Sequence, residues 1–335
     1  MKVRFLFVWI AASMGLLSIG MSGQAQAQAQ AQTQASDASQ RSSRIVIGYP
    51  PGQSVDTVGR YLASTLSRKL DRNFFVENVP GQSGSIALGN VARSAGDLNT
   101  LTFSASSALV INPILFKAVR YNTLKNFEPV ATLYDTPLLL LVNSKLPIDS
   151  VESLVSYANS HPGEISFSSP GVGSVSHLAM TEFIRRTRLK FVHVPYQGAA
   201  PSLTALAAGQ VQVTFEGVAA ATPLLQGGRI KALAISSAKR LPKLESIPTV
   251  AESGLPGFDV VPWVGLLTPS GVAPDKVAEI WNAVQAILQT DEYTALIEQV
   301  GGRQAVRSPA EFRKFLQAEV PRWQEFIKVS GVTAE

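Results

Sequence analysis

Short apolar runs and longer amphipathic segments alternate along the chain from residue 44 onward. Residues 45–47 are all β-branched, which predicts a strand, and residues 55–70 place Val58, Leu62 and Leu66 on one helical face. Loops rich in glycine, proline and serine separate the segments. Further strands are predicted at 74–76, 101–103, 165–167, 191–194 and 211–215, and helices at 86–93, near 112–113, from 175 and at 200–208. Such alternation builds βαβ units, so the predicted fold class is α/β with mostly parallel sheets.

The alternation breaks twice, and the breaks predict two lobes. Residues 130–142 form a long apolar run without a helical crossover, with room for a strand that leaves one sheet and enters another. The irregular residues 256–269 would carry the chain back. We therefore expect a discontinuous first lobe at 43–137 plus 256–335, a continuous second lobe at 138–255, and a ligand cleft between them.

The C-terminal part of the chain has a helical pattern from residue 275. Its apolar stripe consists of Val277, Ile280, Trp281, Val284, Ile287 and Leu288. Ser308 and Glu311, with Pro309 at the first helical position, predict a capping box that begins the last helix.

The N-terminal residues have the pattern of a secretory signal peptide. Lys2 and Arg4 precede an apolar run at 5–21, and alternating Ala and Gln at 24–32 offers cleavage sites. The alternative is an uncleaved membrane anchor, but the run is shorter than the roughly 20 residues that span a bilayer. We expect residues 1–32 to be removed and the protein to reside in the periplasm. Because the chain has no cysteine, it would not be lipid-anchored.

Composition narrows the class of protein further. The 335 residues are 46% hydrophobic and 16% charged, which favours a folded chain of about two domains. The lack of cysteine excludes disulfides, thiol nucleophiles and zinc sites of the cysteine type. The net charge of +5 falls to about +3 without Lys2 and Arg4, and the cluster 185–190 resembles a solvated helix end. We therefore expect no nucleic-acid partner.

The sequence offers little for catalysis. Its three histidines, His161, His177 and His193, have no metal-binding spacing, and we expect no metal and no cofactor. Residues 236–239 match S-x-x-K without its partner motifs, and 171–173 form an incomplete dinucleotide fingerprint. A secreted serine hydrolase that uses a serine of one of the loops remains the alternative from another class.

Small neutral hydrogen-bonding residues stand where predicted strands give way to helices. They are Gln53, Ser54, Ser104, Ser106, Ser169, Ser174 and Gln197. Glycines beside them allow a ligand to approach the backbone, and a helix N-terminus binds anions without Lys or Arg. The simpler alternative is that each serine only caps its helix. Several such loops at the carboxyl ends of strands favour a site for a small carboxylate.

Five segments carry a resemblance to a known family. Residues 49–56, 76–81, 167–174, 193–198 and 247–257 are similar, in order and spacing, to the solute-binding proteins of tripartite tricarboxylate transporters, the Bug family. The resemblance implies a two-lobed, type II-like periplasmic binding fold. It also implies a monomer that closes on a small carboxylate and forms a transient complex with an integral membrane permease. A carboxylate sensor without a transport role would have the same sequence features.

By this resemblance, residues of both lobes would grip the ligand. The implied ligand-binding residues are Tyr49, Gly52, Gln53, Ser54, Ser104, Ser106, Ser169, Gly171, Val172, Gly173, Ser174, Pro195, Tyr196, Gln197 and Glu216. The implied loop-bracing residues are Asp56, His177 and His193. Asp56 is expected to fix its loop because a second negative charge beside an anion would be repelled.

Three positions depart from the family pattern. Gln53 stands where a second glycine is usual, Tyr49 stands where Phe or Trp is common, and Glu216 replaces the acid of a Phe-Asp-Asn segment. These changes leave the identity of the carboxylate open.

Overall fold

The structure, a computed structural model, describes residues 42–333, and the predicted signal peptide at 1–32 lies outside the described residues. The first half of this range contains β1 (Ser42–Ile47), α1 (Ser54–Leu70), β2 (Asn73–Asn78), α2 (Ser85–Ala92), β3 (Thr100–Ala105), α3 (Asn112–Leu115), α4 (Thr123–Asn126), β4 (Phe127–Asp135), β5 (Leu138–Asn143) and α5 (Val151–Ser160). The second half contains β6 (Ser166–Ser169), α6 (Val175–Thr187), β7 (Val192–Pro195), α7 (Ala199–Ala208), β8 (Val213–Gly217), α8 (Val218–Gln226), β9 (Ile230–Ile235), β10 (Trp263–Pro269), α9 (Pro274–Leu288), α10 (Asp291–Gln299), β11 (Arg303–Arg307) and α11 (Pro309–Ser330).

The α/β alternation predicted from the hydrophobic pattern is confirmed. The predicted helix near 112 is α3, and a π-helical turn, Ser107–Ile111, leads into it. The apolar run 130–142 divides into β4 and β5 with a break at residues 136–137. The capping box is also confirmed, since Glu311 Oε2 accepts hydrogen bonds from Ser308 N at 2.9 Å and Ser308 Oγ at 2.7 Å. The strand β11 falls within the part of the chain expected to be helical, because its polar sequence offers almost no apolar alternation.

The described strands form two mixed sheets. The first has the order β11-β4-β10-β3-β1-β2, and the second has the order β7-β6-β8-β5-β9. Most strands of each sheet point the same way. In the first sheet, β10 lies antiparallel between β4 and β3, and the edge strand β11 is antiparallel to β4; in the second, β5 lies antiparallel between β8 and β9. The parallel pairs expected from the sequence are β1 with β2 and β3, and β6 with β7 and β8.

The chain passes between the two sheets at two places that lie side by side. The first passage is the short step from β4 to β5, and the second is the return from β9 to β10. Thr136 N donates to Pro262 O at 2.8 Å, and Ser236 N donates to Leu138 O at 2.8 Å. Paired crossing segments of this kind can act as a hinge between two lobes. The exact lobe boundaries at 137/138 and 255/256 stay a prediction.

The last helix, α11, ties the two sheets together. It packs against β4 of the first sheet and against α6, which lies on the second sheet. Its buried Glu319 accepts hydrogen bonds from Trp263 Nε1 at 3.3 Å and Trp323 Nε1 at 2.9 Å, and it pairs with Arg322 at 2.6 Å. Because Trp263 begins β10, this carboxylate anchors the returning strand beside the crossing.

Among residues 42–333, no helix combines the length and the apolar character that crossing a bilayer requires.

We expect Glu319→Ala to lower the free energy of unfolding by about 2–4 kcal/mol, because two buried indole N–H groups lose their acceptor. Urea denaturation followed by tryptophan fluorescence measures the change. The matched control is Glu325→Ala on the same helix, whose carboxylate is 65% exposed and lies 3.9 Å from Lys328. Equal losses in the two variants would contradict the anchoring role of Glu319.

Candidate functional site

The carboxyl ends of the parallel strands of both sheets lead into the loops that carry the predicted site residues. The loop after β6 reaches the first sheet's side, because a Cβ on Gly173 would lie 2.7 Å from Leu115 Cδ1. Phe116 lies beside the same point. The tertiary structure therefore brings loops of the two sheets together at the ends of the strands where α/β proteins bind their ligands, and we call this region the cleft.

The first-sheet side of the cleft is built on a tight contact between two loops. A Cβ on Gly48 would lie 2.3 Å from Gly84 Cα, so only glycine allows the loops after β1 and β2 to approach. Tyr49 Oη donates to Ser83 O at 3.2 Å and lies 3.2 Å from Ser107 Oγ. Burial raises the pKa of the Tyr49 phenol, so its hydroxyl stays protonated and available as a donor.

The segment 81–84 has an unusual backbone. All four residues have positive φ: 139° for Gly81, 46° for Gln82, 50° for Ser83 and 96° for Gly84. Left-handed conformations are unfavourable for residues with a Cβ, so Gln82 and Ser83 must be held in place. Asn112 Nδ2 does so by donating to Gln82 O at 3.0 Å. Sequence reasoning missed Ser83 and Ser107, although both stand next to motifs that it singled out.

Asp56 is buried and its carboxylate holds the loop that precedes α1. It accepts hydrogen bonds from Gly52 N at 2.9 Å, Arg60 Nε at 2.9 Å and Asn78 Nδ2 at 2.8 Å. Burial by itself raises the pKa of Asp56, but the hydrogen bonds from Arg60, Gly52 and Asn78 outweigh it and leave the pKa lowered. The carboxylate is thus ionised, and both of its oxygens accept hydrogen bonds from within the protein. Asn78, which the sequence analysis did not select, also donates to Tyr49 O at 3.0 Å.

Gln53 and Ser54 lie at the start of α1 and are exposed. Gln53 occupies the N-cap position, and its side chain caps no amide.

Ser104 and Ser106 lie at the end of β3 and are buried. Ser106 Oγ accepts a hydrogen bond from Trp263 N at 3.4 Å, whereas Ser104 Oγ has no partner among the described residues. A buried hydroxyl without a partner costs about 1–3 kcal/mol, so Ser104 is a candidate for contact with a ligand or a water.

The second-sheet side is formed mainly by the loop between β6 and α6. Gly171 and Gly173 have φ of 143° and 77°, which a side chain would disfavour. Ser174 Oγ donates to Gly171 O at 2.8 Å and accepts from His177 N at 3.2 Å, so this hydroxyl caps α6. Val172 forms the exposed tip of the loop, and it makes no hydrogen bond within the described residues. Most polar groups of the loop are therefore bonded within the protein, since Gly173 N donates to His177 Nδ1 and Ser174 N donates to Gly171 O at 3.2 Å, and the Val172 amide is the donor of the described loop that stays open.

His177 and His193 stack behind this loop. Their ring centroids are 3.9 Å apart with an angle of 9° between the planes, and the Phe167 ring lies 4.6 Å from His193 and 6.0 Å from His177. Gly173 N donates to His177 Nδ1 at 3.2 Å, and Ser169 Oγ lies 2.7 Å from His193 Nε2. Burial lowers the pKa of His177 to about 4, with a smaller contribution from His193, and burial lowers the pKa of His193.

The contact between Ser169 and His193 is the kind of pair that a serine hydrolase would need. In a hydrolase, an acid orients the histidine and the serine is accessible to substrate. Within residues 42–333, no carboxylate forms a hydrogen bond with His193, and Ser169 is fully buried. The described geometry therefore contains two of the three required elements, and it favours a structural use of the pair.

The loop after β7 is attached to the loop after β6. Tyr196 N donates to Ser169 O at 2.9 Å, and Gly198 N donates to Pro170 O at 3.1 Å. Pro195 and Gln197 are exposed beside this attachment, whereas the Tyr196 side chain packs on an apolar cluster under α7 and α8. These two loops form one wall.

Glu216 lies at the end of β8 and is 3% exposed. Its Oε1 has no hydrogen-bond partner among the described residues. Burial raises the pKa of Glu216 to about 7, although Ser202 and the Gly217 amide favour the ionised form. The side chain shares a sheet face with Thr214, whose hydroxyl donates to Ser168 O at 2.7 Å. Glu216 is thus a buried acid that changes charge near neutral pH.

Four helices that follow parallel strands of the two sheets begin without a side-chain cap. The N-terminal amides of α1, α2, α7 and α8 receive no side-chain cap, and their N-cap residues are Gln53, Gly84, Gly198 and Gly217. Ser150, Thr290 and Ser308 cap α5, α10 and α11, whereas α9, which follows the antiparallel strand β10, begins after Ala273 and also lacks a side-chain cap. At the cleft, α6 is the exception, because Ser174 caps it. Free amide donors with the positive end of a helix dipole can bind an anion.

Within the described part of the chain, no group of three or more His, Asp or Glu side chains is arranged to hold a metal ion.

We expect Glu216→Gln to stabilise the protein increasingly as pH rises. The raised pKa means that the wild type is fully stabilised below about pH 4.5 and loses this stability as pH rises through about 7. The glutamine variant mimics the protonated acid and should gain about 2–4 kcal/mol over the wild type at pH 8 relative to pH 4.5. Urea denaturation at several pH values measures it. Glu164→Gln, at an exposed position, is the control; a parallel pH profile for Glu216→Gln and the wild type would contradict the expectation.

Comparisons with known proteins agree with this architecture. Residues 58–332 match the family model described as "Tripartite tricarboxylate transporter family receptor". Protein BugT of Bordetella pertussis is 32% identical over 292 residues, covering 87% of this chain and 90% of BugT.

Two solved structures of bound receptors are similar throughout. R. palustris Rpa4515 with adipate has a TM-score of 0.78 and 32% identity, covering 88% of this chain and 98% of that one. MatC from Rhodopseudomonas palustris with bound malate has a TM-score of 0.72 and 30% identity, covering 86% and 99%. The chain therefore belongs to the tripartite tricarboxylate transporter receptor family, the Bug family of solute-binding proteins that its motifs indicated.

Proposed function

We propose that this protein is a periplasmic receptor that captures a small carboxylate between its two lobes and delivers it to an integral membrane permease. The observation that carries the proposal is the set of helix N-termini without a side-chain cap. The helices α1 and α2 follow strands of the first sheet, and α7 and α8 follow strands of the second. The predicted signal peptide supports export, and the membership of the receptor family supports a transport role.

The chemistry of the loops favours an anion held by neutral donors. None of the implied ligand-binding residues is Lys or Arg, and the nearby Arg60 is committed to Asp56. Amide groups at a helix N-terminus each contribute modestly, typically about 0.3–1 kcal/mol per helix end. Several ends that converge on one carboxylate give useful affinity while still permitting release to a permease.

The bound ligands of two relatives narrow the class. Rpa4515 was solved with adipate and MatC with malate, and both molecules are dicarboxylates. A dicarboxylate can engage one side of the cleft with each end, which suits helix N-termini that come from opposite sheets. We therefore propose a small di- or tricarboxylate as the ligand, with lobe closure about the paired segments at 136–138 and 236–262.

A panel of ligands tests this proposal by thermal shift. Adipate, malate and citrate should raise the melting temperature in proportion to the logarithm of ligand concentration above Kd, because they bind only the folded state. Adipamide and putrescine, which have a similar length but no carboxylate, are the controls. Small-angle scattering with the best ligand should report a more compact protein. Stabilisation by another chemical class, with none from the carboxylates, would overturn the proposal.

A negative charge placed at the start of α1 should weaken carboxylate binding. We expect Ser54→Asp to bind adipate or malate at least about tenfold more weakly than the wild type, since like charges about 5 Å apart repel by about 1–3 kcal/mol. The position is exposed, and an acid in the first turn does not destabilise a helix, so the fold is preserved.

The matched control is Ser54→Asn, which has nearly the same shape without the charge. It should stay within about threefold of the wild type. Isothermal titration calorimetry measures the Kd of the three proteins. Equal Kd values for the Asp and Asn variants would contradict binding of the anion at the start of α1.

A further inference from the structure

A chain of polar contacts leads from the loop at the cleft to a buried pair of imidazole rings. Ser169 Oγ lies 3.1 Å from Gly171 O, 3.3 Å from Gly171 N and 2.7 Å from His193 Nε2. His193 in turn stacks on His177 with 3.9 Å between ring centroids. The serine is therefore a junction between the loop backbone and a titratable ring.

Both rings are held neutral by their surroundings in the free protein. His177 Nδ1 accepts a hydrogen bond from Gly173 N at 3.2 Å, so this nitrogen carries no proton. A charge on either ring would lie against the face of the other at 3.9 Å. Removal from water adds to this effect and lowers the pKa of both histidines.

No acid compensates for a positive charge on His193 within residues 42–333. The groups packed against the ring are Phe167 from β6 and His177 from α6. Glu182 of α6 is committed to Arg185 and Arg186. Glu216 lies on the opposite face of the sheet from Phe167. In β8, Thr214 pairs with Ser168, which points away from Phe167, and Glu216 points the same way as Thr214 because side chains alternate along a strand. His177 is thus the titratable group that faces His193.

We propose that His193 takes up one proton when a carboxylate binds at the loop Ser169–Ser174, so that ligand capture is linked to pH. This inference rests on the proposed function, since the bound carboxylate supplies the negative charge that the histidine lacks. An anion beside a histidine favours its charged form.

The exchange needs only a proton from water. In the neutral state, Ser169 Oγ–H donates to His193 Nε2, and Gly171 N–H donates to Ser169 Oγ. After proton uptake, Nε2–H donates to Ser169 Oγ, and the serine hydroxyl is released to donate to Gly171 O. His193 therefore acts as a positioning residue that turns the buried Ser169 hydroxyl towards the backbone of the loop.

Proton linkage predicts that affinity falls as pH rises. Each unit by which the ligand raises the pKa of His193 makes binding about tenfold tighter below the titration than above it. The linkage would thus favour capture under mildly acidic conditions and release as pH rises.

Imidazole NMR tests the proposal directly, because the chain has three histidines. The ring Cε1–H signals are titrated from pH 5 to 8 without and with saturating adipate, or malate if adipate gives no thermal shift. His193→Asn, His177→Asn and His161→Asn assign the signals. The midpoint of His193 should rise by about one unit with ligand. The midpoint of His161, which stacks on Tyr157 far from the loop, should stay unchanged.

Calorimetry between pH 6 and 8 provides the second measurement. The wild type and His161→Asn should retain a pH dependence of affinity that His193→Asn loses. Glu216→Gln, whatever its absolute affinity, removes the other group whose pKa lies near 7, and the pH dependence that it keeps is the part assigned to His193. A carboxylate that binds while the His193 midpoint stays fixed overturns the linkage and leaves the proposed function intact. A chain that no carboxylate stabilises overturns both.

Discussion

Free backbone amides at the starts of α1, α2, α7 and α8 are the feature on which the rest of the candidate site depends. A helix normally satisfies these groups with a side-chain cap, and replacing such a cap by alanine costs about 0.5–2 kcal/mol. Here Gln53, Gly84, Gly198 and Gly217 leave them open. Under the proposed function, a bound anion would satisfy these amides. A cleft of this kind needs no Lys or Arg, which agrees with the low charged fraction of the chain.

Open amides are useful only if the loops that present them keep their shape. On the first-sheet side, Asp56 gathers three donors and Asn112 holds a turn whose backbone is strained. On the second-sheet side, Ser174 and His177 secure the glycines of the loop. The polar side chains near the cleft are therefore largely occupied with the backbone. Backbone donors that are held in place before a ligand arrives lose less conformational entropy when they bind it.

The two lobes are connected by a pair of crossing segments, by the helix α11 and by a shared apolar cluster. Two crossing segments run side by side, which is an arrangement that can act as a hinge. The helix α11 spans both sheets, and Glu319 secures it to the returning strand through the indoles of Trp263 and Trp323. One continuous apolar cluster includes residues of both sheets, such as Val46 and Phe215. The lobes are thus separate layers that share a common core at one end.

Local patterns determined the α/β class, most of the helices and the strands that lead into the loops, because hydrophobic periodicity and turn residues act over short stretches of chain. The helices α4 and α5 were not predicted. The motifs also determined the family. The sequence could not predict the antiparallel positions of β5 and β10 or the polar edge strand β11, since strand pairing is settled between residues far apart in the chain. The sequence pointed to Glu216, His177 and His193 as candidate residues, but it could not predict their burial or the groups that surround them.

Those environments are decided by the tertiary structure alone. Whether a serine caps a helix, as Ser174 does, or lies buried without a partner, as Ser104 does, depends on which groups the fold packs around it. The same holds for the charge of Glu216 and for the stack of His177 on His193, because desolvation and proximity exist only once distant segments have come together. The sequence by itself singled out candidate residues in the loops that follow the strands, and the fold decided which of their polar atoms are bonded within the protein and which have no partner among the described residues.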